Sequence, residues 1–237
     1  MTAEQKIEFD LERASKYDLD IRKAIPGYES LHDMAQHLLK AALSPSADIL
    51  IVGSGTGMEL ISYSQRNPQW SLTGVDPSDD MMAIAKRELA SKKLLERVNL
   101  HTGYVDSLAE TKLMDAATLM LVMHFVPDDG AKLKLLKNIA RRLKPGAEMI
   151  LADLHGDKSA PCFAKFQAAW QALYFNRLDD LARTKAKQNF KTAINQSIYF
   201  VPETRIIELL NIAGFKRVNK LYNAFLFGGW TAQYTGN

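Results

Sequence analysis

One segment constrains the fold of this chain more than any other, the run from Asp48 to Gly57. Asp48 to Val52 reads DILIV, a short apolar stretch suited to a strand buried on both faces. Glycines follow at 53, 55 and 57, and a helix-forming stretch runs on from Met58 to about Asn67. Glycine lets the backbone turn sharply and lets a ligand approach closely. The helix start beyond it offers N–H groups that have no partner within the helix. Strand, glycine turn and helix in this order open a βαβ unit and commit the chain to a mostly parallel sheet.

The remaining segments keep that rhythm. Residues 1–25 read as a polar helix, broken by Pro26-Gly27. Residues 29–43 carry apolar spacing suited to a helix packed on a sheet. Further strands are expected at Leu72 to Val75, Val98 to Thr102, Ala116 to Val122 and Ala147 to Ala152. Helices are expected from Pro77-Ser78 to about Ser91 and from Gly130 to Leu143, with a turn at Lys144-Pro145-Gly146. Residues 155–200 interrupt the alternation and read as a helical insertion. After a helix from Pro202 to Ala213, the stretches Lys216 to Ala224 and Leu226 to Tyr234 are too close for a crossover, so they form an antiparallel hairpin. The expected fold is therefore α/β: a Rossmann-like, seven-stranded, mostly parallel sheet with one antiparallel strand near the C-terminus and helices on both faces. We read one domain over residues 1–237, with residues 1–45 as an N-terminal helical cap and 155–200 as a lid.

The glycine spacing bears on the ligand. A dinucleotide fingerprint places its third glycine three residues after the second; here that position is Met58. The spacing argues for a ligand without pyrophosphate. Asp76 stands at the end of the second strand, where a carboxylate accepts hydrogen bonds from both hydroxyls of a ribose. A nucleoside without phosphate, held by a glycine loop and an acid, matches what S-adenosylmethionine requires.

At these residues the chain resembles the class I S-adenosylmethionine-dependent methyltransferases, over about Asp48 to Ala152. The resemblance includes Gly74-Val75-Asp76-Pro77-Ser78 and Leu143-Lys144-Pro145-Gly146-Ala147. It implies that Gly53, Ser54, Gly55 and Gly57 hold the methionine part and Asp76 the ribose. Pro77 and Leu121 join the cofactor site, and Tyr104 and Val105 flank the adenine. A narrower resemblance, to the carboxy-S-adenosylmethionine synthase family that serves tRNA wobble uridine modification, rests on Ile21 to Tyr28 and Tyr222 to Gly229. It implies that Tyr28, in Pro26-Gly27-Tyr28, contacts the cofactor. That family has an Asn at the end of strand four, where this chain has Leu119-Met120-Leu121-Val122-Met123, and a lid arginine with no counterpart around Lys187 to Phe190.

Ligands of open α/β sheets sit at the carboxyl ends of the strands. His124 follows strand four and is the candidate general base for a hydroxyl or amine acceptor; a packed histidine is the other reading. Asp153 and His155 follow strand five on the acceptor side. Two such residues without a third do not make a metal site, so no metal is expected. Arg22 is a candidate to face a cofactor carboxylate. Trp170, Tyr174 and Phe175 either line an acceptor pocket or pack as core, and Lys185, Lys187 and Lys191 read as a solvated helix face.

The expected function is transfer of a methyl group from S-adenosylmethionine to a small-molecule acceptor. The alternatives are a carboxy-S-adenosylmethionine synthase-like enzyme and a non-catalytic binding protein whose acceptor space is filled by Met120 and Met123. With 30 basic and 27 acidic residues among 237, charge gives no reason to expect nucleic acid as a direct partner, and a homodimer is left open. The single cysteine, Cys162, excludes an internal disulfide and fits a reducing compartment. No apolar run approaches the roughly 18 residues of a membrane span, and the charged N-terminus lacks a leader's apolar core. A cytoplasmic location is the expectation.

Overall fold

A computed structural model describes residues 11–109 and 112–236. The first ten residues of the helix expected over 1–25 lie outside them. Helix α1 (Leu11–Ala24) and helix α2 (Tyr28–Ala42) flank the Pro26-Gly27 break. The core then alternates as β1 (Asp48–Val52), α3 (Met58–Arg66), β2 (Ser71–Asp76), α4 (Asp79–Ser91), β3 (Val98–Thr102), β4 (Met114–Met120), α5 (Ala131–Ala140) and β5 (Leu143–Leu154). Helices α6 (Pro161–Asn176) and α7 (Asp180–Gln196) form the insertion, and α8 (Glu203–Ile212) leads into β6 (Phe215–Ala224) and β7 (Phe227–Tyr234).

The seven strands form one sheet in the order β3-β2-β1-β4-β5-β7-β6. β1 to β5 run parallel, and β7 inserts antiparallel between β5 and β6. Successive side chains of a strand face opposite ways. Leu50 and Val52 of β1, with Ala117 and Leu119 of β4, therefore pack towards α5 and α8. Ile49, Ile51, Ala116 and Met120 pack towards α2 and α3, against Leu31, Leu39, Leu60 and Tyr63. With both faces covered, the strands read as continuous apolar runs rather than alternating ones. A third cluster joins Ile25, Tyr28 and Leu121 to Phe163 and Trp170 of α6 and Phe190 and Ile194 of α7.

Two expectations are corrected. Lys144-Pro145-Gly146 is not a turn but lies inside β5, which begins at Leu143. Between the pairs Met114–Leu143 and Ala116–Glu148, β5 advances five residues while β4 advances two. Pro145 sits in this bulge, where the ladder needs no N–H from it. Strand β4 starts at Met114 and ends at Met120, two residues earlier at each end than the apolar run suggested. It stops because Leu121 takes φ 62°, a left-handed backbone, while its N–H donates to the Ala152 carbonyl at 2.6 Å. Among the described residues, no helix is long and apolar enough to cross a membrane.

Phe215, at the start of β6, is fully buried in the α5/α8 cluster. Phe215→Ala is expected to lower the unfolding free energy by about 3–5 kcal/mol, the usual cost of emptying a phenylalanine site, as read by urea denaturation.

Candidate functional site

The loop after β1 is positioned by its own backbone. The Gly53 and Ser54 N–H groups donate to the Val75 carbonyl at 2.8 and 3.1 Å. Gly53 has φ 73°, and a Cβ there would lie 2.2 Å from Val122 Cγ2, so only glycine fits between β2 and the end of β4. Gly57, at φ 90°, caps the N-terminus of α3. Asp76 closes the loop from the side. Its Oδ2 accepts from the Gly55 N–H and its Oδ1 from the Ser78 N–H, both at 2.9 Å. Burial raises the Asp76 pKa, and these two N–H groups offset part of that rise. A carboxylate has about four acceptor sites, so lone pairs remain for two ribose hydroxyls.

A cleft opens between this loop and the end of β4. The loop contributes Gly53, Ser54, Gly55 and Thr56; β4 contributes Met120, and Leu121 follows it. Helix α1 covers the cleft with Asp18, which accepts a hydrogen bond from the Thr56 hydroxyl at 2.6 Å. Helix α2 brings Tyr28 and His32, whose rings meet edge to face with centroids 4.5 Å apart. Met58 and Glu59 complete the wall from the first turn of α3.

Two titratable side chains in this wall are buried. Burial pushes the Glu59 carboxyl up to about 7, while the Thr118 and Tyr63 hydroxyls beside it pull the other way. Glu59 Oε1 has no hydrogen-bond partner. Burial, helped by the Arg22 charge, pushes His32 down to about 4. Neither of its ring nitrogens has a hydrogen-bond partner.

Of the expected cofactor residues, the structure brings Tyr28, Gly53, Ser54, Gly55 and Leu121 together around the cleft. Gly57 and Asp76 hold the loop that forms its floor. Pro77 is exposed beside Asp76, and Tyr104 is 55% exposed on the loop after β3. Val105 packs into the core beneath that loop. His124 is outside the cleft wall. It is buried, with its Nδ1 hydrogen-bonded to Asp153 Oδ1, which also accepts from the Leu154 N–H at 2.8 Å. Arg22 pairs with Glu29 at 2.5 Å and lies 5.4 Å above the Tyr28 ring. Trp170 is core, and its Nε1 donates to the Ala24 carbonyl at 2.7 Å. Lys187 stands 5.9 Å over the Phe175 ring, and the side chain of Lys191 lies outside the described residues.

The sequence reading missed Asp18, His32, Met58 and Glu59, while Thr56 lay inside the glycine loop already assigned to the cofactor. A signal existed for His32: it stands one helical turn after Tyr28, so the two share a face. Nothing local distinguished Asp18 or Glu59 from solvated helix charges.

The chain is similar to several known proteins. Residues 50–149 match a family model described as a methyltransferase domain. The chain is 25% identical over 223 residues to a carboxy-S-adenosyl-L-methionine synthase of Campylobacter hominis, covering 92% of this chain and 90% of that protein. It is 27% identical over 192 residues to an arsenite methyltransferase of Aquipseudomonas alcaligenes, covering 75% of this chain and 54% of the relative. An O-methyltransferase family 2 protein from Planctomyces limnophilus shares the fold at a TM-score of 0.65 and 16% identity, over 97% of this chain and 63% of its own.

Asp76→Ala is expected to weaken S-adenosylhomocysteine binding about 10- to 100-fold, since a buried charged acceptor is lost from both loop and ligand. Titration calorimetry on the folded variant measures it; unchanged affinity removes Asp76 from the site.

Proposed function

We propose that this chain, a class I S-adenosylmethionine-dependent methyltransferase by its matched domain and relatives, passes the cofactor's methyl group to a small-molecule acceptor at the carboxyl ends of β4 and β5. The ribose is held by Asp76, with Pro77, Tyr104 and Val105 bordering the nucleoside. Gly53, Ser54, Gly55 and Gly57, with Tyr28 and Leu121, hold the rest of the cofactor. Helices α6 and α7 act as the lid over the acceptor, excluding water from the reacting atoms.

The observation that carries this reading is the buried His124–Asp153 pair. Asp153 is a hydrogen-bond acceptor, so it orients the imidazole with Nδ1–H towards it and leaves Nε2 as the basic nitrogen. In the transfer, a lone pair of the acceptor attacks the methyl carbon as the carbon–sulfur bond breaks. Bound S-adenosylmethionine would supply the methyl group with a neutral thioether as leaving group, and His124 Nε2 would take the acceptor's proton. No covalent enzyme intermediate is needed, so most of the rate comes from holding acceptor and methyl in line.

A second reading is a carboxy-S-adenosylmethionine synthase-like activity. Its support is the length of the match to the Campylobacter hominis synthase, which runs nearly end to end in both chains. Native mass spectrometry of the purified protein separates the two. Released S-adenosylmethionine or S-adenosylhomocysteine favours methyl transfer, and carboxy-S-adenosylmethionine favours the second reading.

With an acceptor identified by S-adenosylhomocysteine release from a panel of hydroxyl and amine compounds, His124→Gln is expected to lower kcat about 10²- to 10⁴-fold. Cofactor affinity stays in place. A variant with wild-type kcat removes His124 as the base.

A further inference from the structure

Glu59 and His32 share an unusual situation. Both are buried, both border the cleft, and both keep polar atoms without partners: Glu59 Oε1 and the two ring nitrogens of His32. An unpaired buried polar atom is costly, and here two elements, α3 and α2, each bring such a group to the same wall. Their place in the cleft is set by the strand order. Asp76 ends β2, and the glycine loop follows β1; the wall holding Glu59 and His32 lies on the far side of that loop, where Met120 and Leu121 end β4. A ligand anchored by its ribose at Asp76 therefore points its other end at this wall.

We propose that Glu59 and His32 recognise the zwitterionic α-amino-acid end of the cofactor, Glu59 accepting from its ammonium and His32 donating to its carboxylate. This inference rests on the cofactor reading above. The chemistry matches on both sides. An ammonium has three donors and no acceptor, which suits a carboxyl surrounded by the Thr118 and Tyr63 hydroxyls and lacking a cationic partner among the cleft-lining residues. A neutral imidazole has one N–H to give, and burial keeps His32 neutral, with the Arg22 charge near it opposed by those of Glu29 and Asp33.

Proton exchange accompanies this recognition. In the empty cleft, burial holds the Glu59 carboxyl near 7, so at neutral pH a large part of it carries a proton. A bound ammonium favours the carboxylate, so that proton leaves as the ligand enters. The other titratable groups beside it or along the same wall are Tyr63 on α3, Asp18 on α1, and Tyr28 and His32 on α2. Thr118 on β4 does not titrate. Below pH 7 the exchange costs affinity, and above it the cost disappears.

The test compares ligands as well as variants. S-adenosylhomocysteine carries the amino-acid end, and methylthioadenosine lacks it. Titration calorimetry is expected to give Glu59→Gln a loss of about tenfold or more for S-adenosylhomocysteine and wild-type affinity for methylthioadenosine. Repeating the wild-type titration in buffers of different ionisation enthalpy is expected to report proton release at pH 6 that fades by pH 8. Equal loss of both ligands in Glu59→Gln, or no loss of either, overturns the assignment. Should that variant not fold, the wild-type protein decides with the deaminated analogue of S-adenosylhomocysteine: weaker binding by about tenfold supports the proposal, and equal binding overturns it. Wild-type protein that binds neither S-adenosylhomocysteine nor methylthioadenosine overturns the cofactor reading itself, and this inference with it.

Discussion

The site depends first on the clasp between Asp76 and the glycine loop. A half-buried carboxylate at the end of β2 needs hydrogen-bond donors, and the backbone N–H groups of Gly55 and Ser78 supply them. The Gly53 and Ser54 amides then reach the Val75 carbonyl, so the loop is fixed to β2 at three points. That fixing brings Gly53 against Val122. The close approach leaves no room for a side chain at position 53, and the chain beyond β4 must bend away at once. Leu121 takes up the bend with its left-handed backbone. Such conformations persist in a non-glycine residue only where surrounding contacts over-determine them, and here the Ala152 carbonyl and the third apolar cluster do so. One carboxylate thus sets the loop, the loop sets the end of β4, and the end of β4 forms the opposite wall of the cleft.

How much of this was legible follows from which patterns sequence physics makes loud. Strands covered on both faces read as apolar runs, and glycines forced into left-handed turns cannot be replaced, so β1, its loop and Asp76 stood out. The hairpin of β6 and β7 stood out because two strand-like runs lay too close for a crossover. Pro145-Gly146 misled because its turn chemistry is genuine but is spent on a bulge inside β5. Asp18, His32 and Glu59 were quiet for a different reason. A charged or polar residue on an amphipathic helix looks solvated unless the tertiary neighbours are known. His32 sits within an ordinary apolar stripe of α2, and Glu59 in the first helical turn reads as a favourable partner for the helix N-terminus. Only packing against β4 turns that surface-like acid into a buried one.

His124 illustrates the opposite case, a residue legible by position but not by environment. Its place after β4 followed from the strand order, but its partner did not, because Asp153 lies on the next strand. The pair is joined by Lys132, whose Nζ donates to the Met123 carbonyl at 2.7 Å in a fully buried position. Burial lowers the Lys132 pKa, and the negative charges of Asp153 and Asp128 oppose that shift. A buried cation from α5, a buried carboxylate from β5 and the imidazole after β4 meet around the backbone from Met123 to His124. This polar knot needs its members together, since removing one leaves an uncompensated charge in the core.

Helix α6 and strand β6 are coupled to the clasp through the end of α1. The last carbonyls of a helix have no partner within it, and here other elements use them. Arg177 reaches the Lys23 carbonyl at 3.1 Å, Trp170 reaches that of Ala24 at 2.7 Å, and the Tyr222 hydroxyl donates to Pro26. Helix α6 and strand β6 are therefore docked on one turn, at the hinge between α1 and α2. The same α1 holds Asp18 against Thr56 of the glycine loop. These contacts run to backbone carbonyls rather than to particular side chains of α1, so they fix where α6 sits without requiring particular side chains on α1. The insertion carried no readable chemistry in the sequence because its aromatic residues serve packing and, at Trp170, docking on α1.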